Sequence, residues 1–299
     1  MPFRTLVHAA AVAVLVLLGG TSTAVAGPEL DGCVPADLRG GAVAFRAADD
    51  LELTGLVLGG GPKGVLLVPG VTDGFCDWLP LARHFEDDGY QVLLLQARTE
   101  VLDLGKSFRF DHDVVAAAQE LERRGVTSLM AGAGTTGATA LAAVAADVPR
   151  LHGMFLLSPL ERVAMGGNVL DAAAGLEAFD GPVFLAAAED DGVGLGGGRE
   201  VTATGVVARL GNAALFSTVK TVPGSAQGAR LADGPVRADL LAFVRETVPP
   251  PGFPLWLPVV AVALVLLLVP AVMLVRGRRA VRRLPDLGGA RIVELGPRP

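Results

Sequence analysis

The sequence predicts an α/β protein with a mostly parallel sheet covered by helices on both faces, followed by one C-terminal transmembrane helix. Short strand-like segments, such as the continuous apolar run 64–68 and the mostly apolar segment 90–95, alternate along the chain with longer helix-like segments, such as 111–124. Strands that are apolar on both sides indicate a sheet buried on both faces, and strands that alternate with helices favour parallel pairing. Near the C-terminus, 255–275 is an uncharged apolar stretch long enough to cross a bilayer.

The first 26 residues have the pattern of a secretory signal peptide. Arg4 precedes an apolar core at 6–18, and Ala24-Val25-Ala26 forms a small-residue cleavage site before Gly27. The alternative, an uncleaved N-terminal anchor, is disfavoured because the apolar run is too short to span a bilayer comfortably. We therefore predict a cleaved signal peptide at 1–26 and an exported mature chain that begins at Gly27.

The C-terminal region predicts a single membrane span with the main domain outside the cell. A stiff Pro-rich linker at 249–254 precedes the span at 255–275, and Trp256 lies where an indole prefers the membrane interface. Five arginines follow within 276–283, and clustered arginines stay on the cytoplasmic side. The predicted location is the cell membrane, with 27–248 as an extracytoplasmic domain and 276–299 as a basic cytoplasmic tail.

The charge distribution argues against nucleic acid as a partner of the exported domain. The chain has 25 basic and 31 acidic side chains; one base precedes Gly27, and seven bases and two acids follow Val275. The exported region therefore has a net charge near −12, which would repel a phosphate backbone. The basic tail is explained equally well by contact with anionic lipid or by the topology signal alone.

The elements of the exported domain follow from apolar runs, helical spacing and Gly/Pro turns. A Gly/Ala-rich loop is expected from 158 to 179, and Trp78 and Phe85 are expected in the core. Strands are predicted at 43–47, 51–58, 64–68, 90–95, 126–131, 152–157, 182–187 and 217–222, and helices at 76–88, 111–124, 199–210 and 235–247.

A run of small residues, 130–141, joins the predicted central strand to an Ala-rich helix. Such residues allow a tight turn with the helix packed closely on the strand. The spacing of Gly132, Gly134 and Gly137 also matches a dinucleotide-binding fingerprint, which requires an acid at the end of the next strand. The next apolar run ends at Ser158-Pro159, and the first acid is Glu161, beyond the proline. The dinucleotide alternative is therefore disfavoured, and no cofactor is predicted.

Several motifs, in order along the chain, resemble those of the α/β-hydrolase superfamily, and in particular its exported or membrane-anchored members. They are Cys76-Asp77-Trp78-Leu79-Pro80, Gln96-Ala97-Arg98-Thr99, the turn Gly132-Ala133-Gly134-Thr135-Thr136-Gly137, and Pro223-Gly224-Ser225-Ala226-Gln227-Gly228. The resemblance implies a nucleophile at Gly134, a histidine base at Gln227 and an acid at Asp191 or Asp190. It also implies oxyanion-hole N–H groups at Gly70, Val71 and Thr135.

The residues at these positions predict a degenerate catalytic triad. Gly134 has no side chain with which to attack, and the amide of Gln227 cannot act as a base near neutral pH. Thr135 and Thr136 are alternative nucleophiles that would still lack a base, while Asp190 and Asp191 are expected to be solvated loop carboxylates. We expect an inactive protein that binds a small molecule or protein at the former active-site mouth. The alternative is an active, esterase-like hydrolase with an unorthodox site.

The two cysteines, Cys33 and Cys76, both lie in the predicted exported domain. An exported pair is most simply a disulfide, here one that joins the mature N-terminus to the loop after the third strand. Two free thiols, or Cys76 as a nucleophile activated by one of the domain's histidines, are the alternatives. The acidic residues lack the spacing of metal ligands, and no metal is predicted.

Overall fold

The computed structural model describes residues 28–71, 73–96, 98, 109–165, 167–192 and 202–248. The predicted signal peptide, linker, membrane span and cytoplasmic tail lie outside these residues and stay predictions. Within the described ranges, no helix combines the length and apolarity that crossing a membrane requires.

An eight-stranded, mostly parallel sheet forms the centre of the domain, and a separate two-stranded hairpin is formed by β7 and β8. The order across the large sheet is β1-β2-β4-β3-β5-β6-β9-β10, with antiparallel pairing only at β1–β2 and β2–β4. The strands are β1 (Ala42–Arg46), β2 (Glu52–Leu58), β3 (Lys63–Val68), β4 (Gln91–Leu95), β5 (Ser128–Gly134), β6 (Leu151–Leu157), β7 (Arg162–Met165), β8 (Asn168–Asp171), β9 (Pro182–Ala188) and β10 (Phe216–Val222).

Seven α-helices of the described residues cover the two faces of this sheet. One buried apolar layer packs under α2 to α5 and the other under α1, α6 and α7, so the central strands are buried on both sides. The predicted α/β architecture is therefore confirmed. The helices are α1 (Leu79–Asp87), α2 (Phe110–Arg123), α3 (Thr135–Ala143), α4 (Ala172–Glu177), α5 (Ala203–Ala213), α6 (Ala229–Asp233) and α7 (Arg237–Thr247).

The segment between β6 and β9 differs from the predicted Gly/Ala-rich loop. It forms the β7–β8 hairpin and the short helix α4. Val163 and Leu170 pair across the hairpin and are both buried, and the Asp171 side chain caps α4 by accepting the Ala174 N–H at 3.1 Å. Elements this short give too few apolar repeats to be recognised in the sequence.

The predicted disulfide between Cys33 and Cys76 is present, and the described residues contain no free cysteine. It joins two positions 43 residues apart and connects the N-terminal segment to the 3₁₀ helix Phe75–Trp78. Trp78 and Phe85 lie in the core, as predicted. With both thiols oxidised, Cys76 is not available as a nucleophile.

A buried ion-pair network joins the chain after β4 to the start of α2. Arg98 donates to Asp113 Oδ2 from Nε at 2.7 Å, to Asp49 Oδ2 from Nη1 at 3.0 Å and to the Arg109 carbonyl from Nη2 at 3.0 Å. The Asp113 side chain is fully buried and that of Arg98 is only 7% exposed. Arg98 is the arginine of the Gln96–Thr99 motif, and its role in this network is therefore structural.

Candidate functional site

The candidate site lies at one edge of the sheet, where the parallel strands β3, β5, β9 and β10 end. Gly70 and Val71 follow β3, the turn into α3 follows β5, Asp191 follows β9, and Gln227 follows β10. Because carboxyl ends of parallel strands share one edge, this topology places the predicted site residues at the same end of the domain. Glu161, the acid weighed for a ribose, instead pairs with Arg209 at 2.7 Å.

The turn between β5 and α3 has its left-handed residue at Thr135. β5 ends at Gly134, whose φ of −113° and ψ of 149° are those of a strand, whereas Thr135 has a φ of 44°. A positive φ at a β-branched residue is an outlier that costs about 1–3 kcal/mol and is concentrated at functional sites. The strained residue therefore follows Gly134, the predicted nucleophile position, by one.

Close packing explains the two glycines on either side of this turn. A Cβ atom on Gly137 would lie 2.7 Å from the Val68 carbonyl oxygen and 2.8 Å from that of Pro69. A Cβ atom on Gly70 would lie 1.7 Å from Thr135 Oγ1, so the threonine hydroxyl packs directly on the chain after β3. Thr135 is only 3% exposed.

The backbone N–H groups predicted for an oxyanion hole after β3 already have acceptors in the chain. Val71 N–H donates to Thr136 Oγ1 at 2.9 Å, and Gly70 N–H donates to Asp73 Oδ2 at 3.3 Å. An oxyanion hole requires N–H donors that point at the developing negative charge. In this conformation, the Gly70 and Val71 donors are not available for that role.

Asp73, which sequence reasoning did not select, lies at the centre of the site. A Cβ atom built on Gly134 would lie 2.1 Å from Asp73 Oδ2, and one built on Gly228 would lie 2.4 Å from both carboxyl oxygens. The Asp73 carboxyl group therefore fills the space beside Gly134 that any side chain there would need. The sequence contains one signal for this contact. Gly134 has no side chain, and in a closely packed interior a neighbouring group must fill the space that a side chain would occupy.

The environment of Asp73 favours its neutral form. Burial raises the pKa of the carboxyl, and the nearby charge of Asp77 adds to this effect. The Gly70 N–H, the Trp78 indole and the charge of Arg230 act in the opposite direction without cancelling the rise in pKa. Trp78 Nε1 is buried and acts on the Asp73 carboxyl without reaching full hydrogen-bond geometry.

The predicted acid and the residue at the predicted histidine position are in contact. Gln227 donates a short hydrogen bond from Nε2 to Asp191 Oδ1. Asp191 is only 6% exposed, so the expectation of a solvated carboxylate is wrong for this residue, because the loop after β9 folds back and its N–H donates to the Ala188 carbonyl. Asp190 is exposed, as expected.

The described histidines make their contacts elsewhere in the domain. His84 on α1 lies near Asp88. His112, at the start of α2, contacts Arg109, and His152 on β6 contacts the Arg150 carbonyl. In none of these contacts does a histidine take the place of the base that is missing at Gln227. The described ranges also contain no group of three potential metal ligands.

A change at Asp73 is expected to alter how stability depends on pH. Because the pKa of Asp73 is raised in the folded state, the folded chain loses stability as pH rises from below 3.8 through that raised pKa. Asp73→Asn cannot ionise, so its free energy of unfolding relative to wild type should increase across this window and then level off. Urea unfolding at a series of pH values measures the difference; a difference that falls with rising pH would contradict the assignment.

The contact between Gly134 and Asp73 predicts energetic coupling. Gly134→Ala should destabilise wild type by about 1–3 kcal/mol, because its methyl group would overlap Asp73 Oδ2 and also meet Trp78 and Gly228. The same change should cost at least about 1 kcal/mol less in an Asp73→Ala background. Chemical denaturation of all four proteins gives the coupling.

Gly192→Ala is the matched control for that cycle, since no atom of the described residues lies within 4 Å of a Cβ atom at Gly192. It should change stability by no more than about 0.5 kcal/mol in either background. Equal costs of Gly134→Ala with and without Asp73 would mean that the carboxyl group does not occupy this space.

Comparison with known proteins supports the fold at low sequence identity. No protein-family model and no curated protein matches the sequence. The Pyrococcus furiosus esterase Pf2001 is 13% identical with a TM-score of 0.59, over 74% of this chain and 97% of that one. The esterase RhEst1 from Rhodococcus sp. ECU1013 is 13% identical with a TM-score of 0.52, over 69% and 96%. A putative non-heme bromoperoxidase, BpoC of Mycobacterium tuberculosis H37Rv, is 12% identical with a TM-score of 0.51, over 65% and 95%.

The topology and these matches define the class of the domain: it is an α/β protein with the α/β-hydrolase fold. The resemblance of the sequence motifs to that superfamily thus agrees with the structure. Identities of 12–13% establish the fold alone, and the activity must be argued from the site.

Proposed function

We propose that this protein is a membrane-tethered, extracytoplasmic α/β-hydrolase-fold protein that binds a ligand at the former active-site mouth without serine–histidine catalysis. One observation carries the absence of serine–histidine catalysis: the Asp73 carboxyl group fills the space beside Gly134 and Gly228. The Asp191–Gln227 hydrogen bond supports it, because an acid paired with an amide cannot relay a proton to a base. The membrane tether rests on the sequence pattern at 255–283.

A second candidate function, an esterase-like hydrolase with an unorthodox site, is favoured by the backbone of Thr135. This residue has a strained, left-handed conformation between a central strand and a helix, as the nucleophile of a hydrolase elbow does. Its hydroxyl would be the attacking group. The carboxyl of Asp73, which accepts the N–H of Gly70, the residue against which Thr135 packs, would be the proton acceptor. Two of the structural matches above are named esterases, which agrees with this alternative.

Hydrolysis of p-nitrophenyl acetate by the purified full-length protein in detergent separates the two candidates. We expect no turnover above the rate without protein, because His84, His112 and His152 make their contacts elsewhere in the domain and the oxyanion-loop donors are occupied. We expect the same result for two variants, which should also show only the rate without protein. Thr135→Val keeps the β-branched shape, and Thr218→Val is an exposed control on β10. Turnover that Thr135→Val abolishes and Thr218→Val preserves would establish the esterase candidate instead.

A further inference from the structure

The space that Asp73 fills holds its planar carboxyl group against two glycines and an indole. Gly134 and Gly228 lie against the carboxyl group, close enough that a Cβ atom on either glycine would lie 2.1–2.4 Å from its oxygens. The Trp78 indole forms a further wall, since Cζ2 would lie 2.9 Å from a Cβ on Gly134. Gly228 also has a φ of 48°, so the backbone there favours glycine independently of the contact.

The polar atoms of this space are hydrogen-bond donors with little net charge. Gly70 N–H donates to Asp73 Oδ2 at 3.3 Å, and the buried Trp78 Nε1–H acts on the same carboxyl group without reaching full hydrogen-bond geometry. Two uncharged donors recognise oxygen acceptors. The charges that act on this space, those of Asp77 and Arg230, have opposite signs and give no strong preference for an anion.

We propose that the space between Gly134 and Gly228 is a binding site for a neutral carboxylic acid or carboxamide group. In this structure the side chain of Asp73, from the same chain, occupies that site. This assignment rests on the proposed binding function, and it names the chemical class of the ligand. A space that holds the planar carboxyl of Asp73 fits a planar acyl group, and the Gly70 and Trp78 donors fit its carbonyl oxygen. The direction of the Asp73 pKa agrees, because a site that favours the neutral acid raises the pKa of its occupant.

Removal of the Asp73 side chain should open the site to a small molecule of the same shape. Asp73→Gly removes the equivalent of an acetic acid group, so acetamide is the matched probe and acetate its charged counterpart. The measurements use the full-length protein with Trp256→Phe, which leaves Trp78 as its sole tryptophan. Fluorescence of Trp78 and the melting temperature then report binding at the site and overall stability, respectively.

We expect acetamide to change Trp78 fluorescence and raise the melting temperature of Asp73→Gly saturably, with an apparent affinity at least tenfold tighter than for wild type. Asp73→Asn, in which an amide still fills the site, should respond no more than wild type. Acetate should bind Asp73→Gly only on acidification, when it is protonated. If Asp73→Gly does not fold, Asp73→Ala with formamide, which matches the smaller gap, gives the same comparison.

Three results would overturn the assignment. An equal response of all three proteins to acetamide would mean that the probe acts elsewhere, and no response in any protein would mean that no such site exists. Tighter binding of acetate than of acetamide at neutral pH would mean that the site selects an anion. Ester turnover by wild type would refute the proposed function but not an acetamide response, so the two failures are distinguishable.

Discussion

Arg98→Ala is expected to lower the free energy of unfolding by about 3–5 kcal/mol, a larger loss than we expect from any other single substitution. The change removes the cation from a fully buried Asp113, together with hydrogen bonds to Asp49 and the Arg109 carbonyl. A buried carboxylate without its partner keeps the cost of desolvation and loses the compensating attraction. Urea unfolding of the purified protein at neutral pH measures the loss.

Arg83→Ala is the matched control, because Arg83 pairs with Asp37 at 3.3 Å while both side chains are largely exposed. Exposed pairs contribute about 0–1 kcal/mol, so this variant should be close to wild type. If Arg98→Ala were no more destabilising than Arg83→Ala, the buried network would not hold the start of α2 in place.

Loss of the Cys33–Cys76 disulfide is expected to have the second largest effect, roughly 3–4 kcal/mol in the chain-entropy account. The bond closes a long loop, so its removal gives the unfolded chain more freedom. The double variant Cys33→Ser/Cys76→Ser avoids a stray thiol and should unfold at lower urea concentration. Peptide mapping of wild type without reduction should recover the two cysteines as one linked pair.

Reduction of wild type with dithiothreitol provides the control, since it should reproduce the stability of the double serine variant. The reductant should leave the double variant itself unchanged. Two free thiols in protein from the exported fraction, or a double variant as stable as wild type, would contradict a structural disulfide.

The fold was predictable because its strands are strongly apolar and its helices amphipathic. The run 64–68 lies within β3, and 111–124 differs from α2 by one residue at each end. β5 continues three residues beyond its predicted end, to Gly134, because pairing with β3 and β6 extends through glycines and alanines that have weak strand propensity. Tertiary pairing, which no local pattern encodes, set that boundary.

The strand ends at which the candidate site residues lie were predictable from the sequence. The contacts that these residues make were not. Motif spacing placed Gly134, Asp191 and Gln227 at one edge of the sheet, but a backbone dihedral angle cannot be read from a run of small residues. The left-handed conformation of Thr135 was therefore missed. Asp73 was missed because its contact with Gly134 joins residues 61 positions apart in the chain, through the packing of two loops.

The most direct test of the central claim, that the strained turn carries no activated nucleophile, is the intact mass of the full-length protein after incubation with a fluorophosphonate. These reagents phosphonylate a hydroxyl that an adjacent base has activated. We predict an unchanged mass, because Gly134 has no side chain and Gln227, at the predicted position of the base, is an amide hydrogen-bonded to Asp191. A single phosphonyl adduct that maps to Thr135, and that is absent from Thr135→Val, would contradict the account.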